Sequence, residues 1–343
     1  MSVRVGIVGA GIIANAHLKA LQKIRDAQVV AIAEPEENKR MKLVQKFKIK
    51  KAFKDYRELL NLQDIDVIYI CTPNHLHHPI AVDALIAGKH VICEKPLART
   101  LKEAEEMIQT SKKTGKKLFI ALNHRFNPVN QKVKELLQEG IIGAPFLTVS
   151  TFIGDEYERM KDSSNWKGTY EKSGGGVLID NGTHIIDILR YFFGEVEAVT
   201  ATCKNLLIQT KNKAEDTALL SIEFKNNVLA ELSLTFSARY STWPTGYRGA
   251  AIRIEIYGSE GAVRATNEEV PLTVSKGNKI KRFNYSDIKT SLPTDQNSHF
   301  IECILNNKDP IVTVEDGKAA LEVVSAAYRS AREGRRVLIE EIR

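Results

Sequence analysis

Short apolar runs alternate with amphipathic stretches through the first third of the chain. Val3–Val8 is a β-branched run, and Val29–Ala33, Val67–Cys71, His90–Cys93 and Lys117–Ala121 repeat the pattern. Between them, Ile12–Ile24, Glu37–Phe47, Asp55–Leu60, Pro79–Ala87 and Leu101–Thr114 carry apolar residues at helical spacing. Continuous apolar strands separated by helices predict a parallel sheet with right-handed crossovers, a doubly wound arrangement. After residue 123 the rhythm changes. Helices are predicted over Val129–Glu139 and Val177–Phe192, and strands over Phe146–Ile153, Ala198–Cys203, Ala218–Phe224, Val228–Phe236, Ile252–Tyr257 and Ala262–Ala265. Phe224–Val228 has the make-up of a hairpin turn. Helices over Ser298–Asn306 and Glu315–Arg332 close the chain. The expected class is therefore α/β: a Rossmann domain over 1–122, then an α+β domain over 123–343 with a mainly antiparallel sheet.

The length supports this division, since 343 residues exceed one ordinary core. Composition is that of a globular protein, 43% hydrophobic and 27% charged. No apolar run is long enough to cross a bilayer, and the opening residues form a strand rather than a secretory signal. Four scattered cysteines, Cys71, Cys93, Cys203 and Cys303, fit reduced thiols. A cytoplasmic protein with no membrane partner is expected. The net charge of +7 is spread over helices that mix acids and bases, as in Lys50–Leu60 and Arg99–Lys117. No recognition motif accompanies it, so no nucleic-acid partner is expected.

Chemistry enters at the first turn. Gly9-Ala10-Gly11-Ile12-Ile13-Ala14 follows the first strand and opens the first helix, the context that a dinucleotide-binding glycine motif requires. Gly9 permits the turn, Gly11 lets backbone approach a pyrophosphate, and the N–H groups at Ile12 and Ile13 face it. Glu34, at the end of the second strand, suits the ribose hydroxyls and repels a 2′-phosphate. NAD is therefore expected, and the nearby Lys39 and Arg40 leave NADP open. Thr72-Pro73-Asn74 and Glu94-Lys95-Pro96 end the third and fourth strands, where ligands bind such sheets. Cys71, His75, His77 and His78 lack a second ligand cluster, so no metal is expected.

Together these residues resemble the glucose–fructose oxidoreductase / inositol dehydrogenase / MocA family over nearly the whole chain. The resemblance rests on Gly9-x-Gly11-x-x-Ala14, Thr72-Pro73-Asn74 with His77, Glu94-Lys95-Pro96 and Asn123-x-Arg125-Phe126-x-Pro128. It continues through Gly174-Gly175-Gly176-x-x-x-Asp180-x-Gly182-x-His184 and Glu315-Asp316-Gly317. It implies nicotinamide-dependent oxidation of a secondary alcohol of a sugar, cyclitol or derivative, or the reverse reaction. It also implies that the C-terminal sheet is large and open and that a homodimer or homotetramer packs through it. By resemblance Lys95 lies beside the nicotinamide, and Asp180 and His184 form the catalytic pair.

Hydride transfer from an alcohol needs an acceptor for the hydroxyl proton and a donor to the developing oxyanion. His184 suits the first role and Lys95 the second, and the exchange of these roles stays open. Asp180 and His184, four apart on one predicted helix, share a face. Asp180 is expected to orient the imidazole or bind a substrate hydroxyl, with Asp187 as an alternative orienting group. Gly174–Gly176 are expected to allow close approach of a ligand or another chain. Substrate contacts are expected from Lys95, Arg125, Trp166, Asp180 and His184. Tyr157, Arg159, Lys167 and the segment Ser237–Arg248, which includes Trp243, are further candidates. Two alternatives remain: a reductase of a non-carbohydrate carbonyl or cyclic compound, and a dinucleotide-sensing protein without turnover.

Overall fold

The computed structural model describes residues 2–162, 165–208, 214–239 and 250–343. The chain forms two compact units, Met1–Leu122 with Asp295–Lys318, and Asn123–Thr294 with Ala319–Arg343. The segment Asp295–Lys318, which a single cut at residue 122 assigns to the second domain, thus packs with the first unit.

In the first unit β1 (Val3–Val8), α1 (Ile12–Leu21), β2 (Ala27–Ala33), α2 (Glu37–Phe47), β3 (Lys51–Phe53), α3 (Tyr56–Leu60), β4 (Val67–Ile70), α4 (His77–Ile86), β5 (His90–Glu94), α5 (Leu101–Thr114) and β6 (Leu118–Ala121) follow one another. Among the described residues the strands form one sheet in the order β3-β2-β1-β4-β5-β6, with every neighbouring pair parallel. Strands covered on both faces read as unbroken apolar runs, and all four residues of β4 are buried. Strand order reverses between β1 and β4, so the loops after these strands flank the switch point where such sheets take ligands. The helix Gln296–Leu305 packs on α1 and β1, and Phe300 lies 5.1 Å from Phe119 of β6, ring centre to ring centre. Asp316 caps the next helix, Val314–Glu333, by accepting from the N–H and hydroxyl of Thr313 at 2.9 and 2.8 Å. A Cβ at Gly317 would stand 3.1 Å from Ile120, so small size here lets the helix lie close on β6.

The second unit holds α6 (Pro128–Gln138), β7 (Pro145–Ile153), α7 (Tyr157–Lys161), α8 (Tyr170–Ser173), α9 (Thr183–Phe193), β8 (Val196–Lys204), β9 (Thr217–Phe224), β10 (Leu229–Thr235), β11 (Ala251–Gly258), β12 (Gly261–Thr266), β13 (Leu272–Lys276), β14 (Lys279–Phe283) and β15 (Val337–Leu338). Its sheet runs β14-β13-β12-β11-β7-β10-β9-β8-β15 among the described residues. All pairings are antiparallel except β7 with β10. Period-two burial is plain in β9: Ala218, Leu220, Ile222 and Phe224 are buried while Leu219 is 53% exposed. The hairpin between β9 and β10 closes through Phe224 N–H to the Val228 carbonyl, with Asn227 at φ 65°.

Three departures from the sequence pattern have physical causes. β3 is a three-residue edge strand without an apolar run. β14 is an exposed edge bearing Lys279, Lys281 and Arg282, charges that block edge-to-edge pairing and erase the strand signature. The helix expected over Val177–Phe192 opens into a π-helical turn, Leu178–Gly182, before α9 begins.

Candidate active site

The dinucleotide-type turn is built from the ends of β1, β2 and β4. Gly9 has φ 98°, and a Cβ there would stand 2.6 Å from the Cys71 carbonyl oxygen, so only glycine fits. Gly11 differs: a Cβ on it would meet nothing within 4 Å. The first turn of α1, with Ile12 and Ile13, has no side-chain cap, and its N–H groups are left for an external anion. Ile12 is 61% exposed. The Glu34 carboxylate accepts from the N–H groups of Ala10 at 2.9 Å and Glu36 at 3.0 Å, which fixes it beside the glycine turn. Thr72 Oγ1 is buried with no hydrogen-bond partner among the described residues. An open glycine, an uncapped helix end, a braced acid and an orphaned hydroxyl fit a nucleotide's phosphates and hydroxyls.

The two glycines predict different variants. Gly9→Ala places a side chain against backbone at a left-handed φ and lowers stability by about 1–3 kcal/mol, read by urea unfolding. Gly11→Ala adds a methyl only to open space. Its unfolding midpoint stays at the wild-type value, while NADH affinity by fluorescence titration falls about tenfold. Equal affinity in Gly11→Ala and wild type would count against phosphate approach at this turn.

Lys95 follows β5, and its own N–H donates to Glu94 Oε2 at 3.3 Å. The Lys95–Pro96 peptide is cis. Glu94 is buried, and its Oε1 lies 2.8 Å from His17 Nε2, whose Nδ1 lies 2.8 Å from Asn297 Oδ1. Burial pushes the His17 imidazole down, but its bond and charge interaction with Glu94 outweigh this and raise it. His17 thus pins the end of β5 to α1 and to the helix Gln296–Leu305. His77, expected at the cofactor, is only 1% exposed. Its ring nitrogens lie 2.7 Å from the Pro96 carbonyl and 3.1 Å from that of Thr72. It ties the loops after β4 and β5 together, and burial lowers its pKa. Asn74 is likewise buried, at 4% exposure.

In the second unit the π-helical turn carries Asp180, which is paired with the Lys167 ammonium. Lys167 lies over the Trp166 ring, 5.9 Å from its centre, so Trp166 flanks this ion pair. His184, in the first turn of α9, is half-buried and stacks on His124, ring centres 4.5 Å apart and planes 21° apart. Arg125, expected to contact substrate, is buried in a forked pair with Asp187, at 3.0 Å from Nε and 2.6 Å from Nη2. The guanidinium and the carboxylate thus hold one another, joining the Asn123–Phe126 turn to α9. Arg159 pairs with Glu156, and Tyr157 lies under Arg239 at 4.0 Å. Residues 240–249, including Trp243, lie outside the described residues.

The glycine run has an internal purpose. A Cβ at Gly176 would stand 1.7 Å from the Glu215 carbonyl oxygen, and one at Gly175 would meet the Tyr328 hydroxyl at 1.9 Å. The close approach expected of a ligand or second chain is made by the same unit. Glu215, buried and with its pKa raised by burial, accepts from the N–H groups of Gly176 and Leu178 and from Tyr328 Oη at 2.8–3.0 Å. It thereby fixes the entry to the turn that bears Asp180. Sequence reasoning passed over Glu215, His17 and His124. His17 is a polar residue inside an apolar helical run, and His124 occupies the unspecified position between Asn123 and Arg125.

Two family models match the chain. The oxidoreductase family's NAD-binding Rossmann fold covers residues 3–122, and its C-terminal alpha/beta domain covers residues 134–339. Myo-inositol 2-dehydrogenase of Thermotoga maritima is 31% identical, over 99% of this chain and 99% of that protein. D-apiose dehydrogenase of Paraburkholderia graminis is 27% identical, over 98% of this chain and 89% of the relative. A solved levoglucosan dehydrogenase, in complex with NADH and levoglucosan, superposes with a TM-score of 0.88 at 26% identity, covering 99% of this chain and 100% of its own. With both models matched and a relative above 30% identity along the full length, the chain belongs to the glucose–fructose oxidoreductase / inositol dehydrogenase / MocA family of NAD-binding oxidoreductases.

Proposed function

We propose that the protein is an NAD-dependent dehydrogenase that oxidises a secondary alcohol of a sugar or cyclitol, or reduces the corresponding ketone. The observation that carries this reading is the full-length match to relatives named for dehydrogenation of myo-inositol and D-apiose, in a chain that bears Lys95, Asp180 and His184.

Bound through the Gly9–Ile13 turn, Glu34 and the Thr72–Asn74 loop, NAD supplies the hydride-accepting nicotinamide. His184 takes the hydroxyl proton at an imidazole nitrogen. Lys95 donates a hydrogen bond to the alcohol oxygen and stabilises its negative charge. Asp180, steadied by Lys167, accepts from a neighbouring substrate hydroxyl, and Trp166 offers an apolar sugar face its ring. NAD is preferred over NADP, because the braced carboxylate of Glu34 repels a 2′-phosphate. The nearby cations are engaged, Lys39 with Glu36 and Arg40 with the Glu34 carbonyl.

The reading extends to assembly and location. The protein pairs into a homodimer or homotetramer through the outer face of its C-terminal sheet, where Leu219 is 53% exposed and Leu229 is 51% exposed, the latter in register with Leu147 and, across it, Tyr257. It works in the cytoplasm, in keeping with four free cysteines.

The test is NAD and NADP reduction with a panel of polyols, cyclitols, sugars, sugar acids and nucleotide-sugars. The reading expects turnover of at least one cyclitol or sugar, faster with NAD. NADH binding without turnover of any member in either direction would favour a dinucleotide sensor instead.

A further inference from the structure

We infer that His17 is a positioning residue for Lys95, acting through the carboxylate of Glu94. The inference rests on the reading of Lys95 as the donor to the alcohol oxygen.

Glu94 closes β5 and is buried, with its two oxygens divided between two partners. Oε1 lies 2.8 Å from His17 Nε2, and Oε2 accepts from the Lys95 N–H at 3.3 Å. Beyond Lys95, the Pro96 carbonyl lies 2.7 Å from His77 Nδ1. The backbone of Lys95 is thus tied at its own N–H and at the next carbonyl, which sets where its side chain leaves the chain. A carboxylate free to turn would loosen the first of these ties.

His17 holds that carboxylate in place. It sits within α1, is only 3% exposed, and its Nδ1 lies 2.8 Å from Asn297 Oδ1. Both ring nitrogens face acceptors, and an imidazole that donates from both is the cation. Its bond to Glu94 is then charge-assisted, about twice as strong as a neutral one. The surroundings agree. Burial pushes the His17 imidazole down, but the Glu94 contact, Asn297 and the negative Asp295 at the N-cap of the helix Gln296–Leu305 raise it overall. From β4 the Tyr69 ring packs edge-on at 5.2 Å, and burial holds its hydroxyl well above the usual range, so it stays uncharged. The Cys71 and Cys93 thiols, which feel Glu94, are pushed up by burial and stay protonated. β2, which also packs on α1, has no titratable side chain, and Lys19 of α1 itself is exposed. One buried cation thus joins the helix of the glycine turn to the loop of Lys95, all within the first unit.

The test reads the ring and the rate separately. In NAD-free protein labelled with 15N-histidine, the His17 signals are assigned by their loss in His17→Gln and titrated by NMR. The His17 midpoint should lie above the ordinary value of about 6.5 in wild type. It should fall below that value in Glu94→Gln, where burial remains and the counter-charge is gone. A wild-type midpoint at or below the ordinary value, or the same midpoint in both proteins, overturns the proposal. His17→Gln, which can still hydrogen-bond Glu94 but carries no charge, should lower kcat about tenfold and leave NADH affinity within about threefold of wild type. In the Lys95→Ala background the same change should cost less than about twofold, because an absent lysine cannot be misplaced. The same loss in both backgrounds, or wild-type kcat in His17→Gln, overturns the proposal. Wild-type turnover in Lys95→Ala alone instead overturns the underlying reading of Lys95, whatever the His17 titration shows.

Discussion

His184→Ala is expected to lower kcat for polyol oxidation at least about a hundredfold, the usual scale for losing a general base. Lys95→Ala should lose a similar factor, because the oxyanion then lacks its donor. The two variants should differ with pH. Without His184, hydroxide can serve as the base, and the residual rate should climb steadily with pH. Without Lys95, the rate should still depend on His184 and level off once the imidazole is neutral. His184→Ala should not lose NADH affinity by more than about threefold, a change of under 1 kcal/mol, because His184 neither builds the glycine turn nor holds Glu34. Stopped-flow reduction of NAD, with NADH fluorescence as the binding control, measures both. Near-normal turnover in both variants would move the chemistry to other residues.

The largest expected stability effect lies at Arg125 and Asp187. Their side chains are 8% and 0% exposed, and the contact is forked. Removing one partner leaves a buried, uncompensated charge, so Arg125→Ala or Asp187→Ala should cost about 3–5 kcal/mol in urea unfolding. Replacing both by apolar residues of similar volume, Arg125→Met with Asp187→Leu, should recover most of that loss, since the desolvation penalty of both ions disappears together. A single variant costing under about 1 kcal/mol, the range of exposed pairs, would mean that water reaches this pair in solution.

The same pair shows where the sequence was readable and where it was not. The first sheet was legible because strands covered on both faces are apolar throughout, as in β4, and the fold class followed from their alternation with helices. β14 was not legible, because an edge strand carries its lysines for solvent rather than for pairing. The glycine turn was legible because Gly9 answers to a local backbone constraint. Arg125 was not, because its partner Asp187 is 62 residues away and only the folded packing of its 3-10 turn on α9 reveals the pair. Gly174–Gly176 looked like an approach for a ligand, yet the atoms that Gly175 and Gly176 accommodate at closest range belong to Tyr328 and Glu215 of the same unit. Periodicity marked the helix that carries Asp180 and His184, but not the π-helical turn within it, since π turns arise mostly as single insertions in helices at functional sites.

The most direct test of the account follows the transferred hydrogen. A polyol that the protein turns over is deuterated at the reacting carbinol carbon and oxidised with NAD, and the NADH formed is examined by mass spectrometry and NMR. The account predicts deuterium at C4 of the nicotinamide, on one face only, in wild type, and a rate reduced about a hundredfold or more in His184→Ala. NADH formed without deuterium, or with deuterium at an undiminished rate in His184→Ala and Lys95→Ala alike, would contradict it.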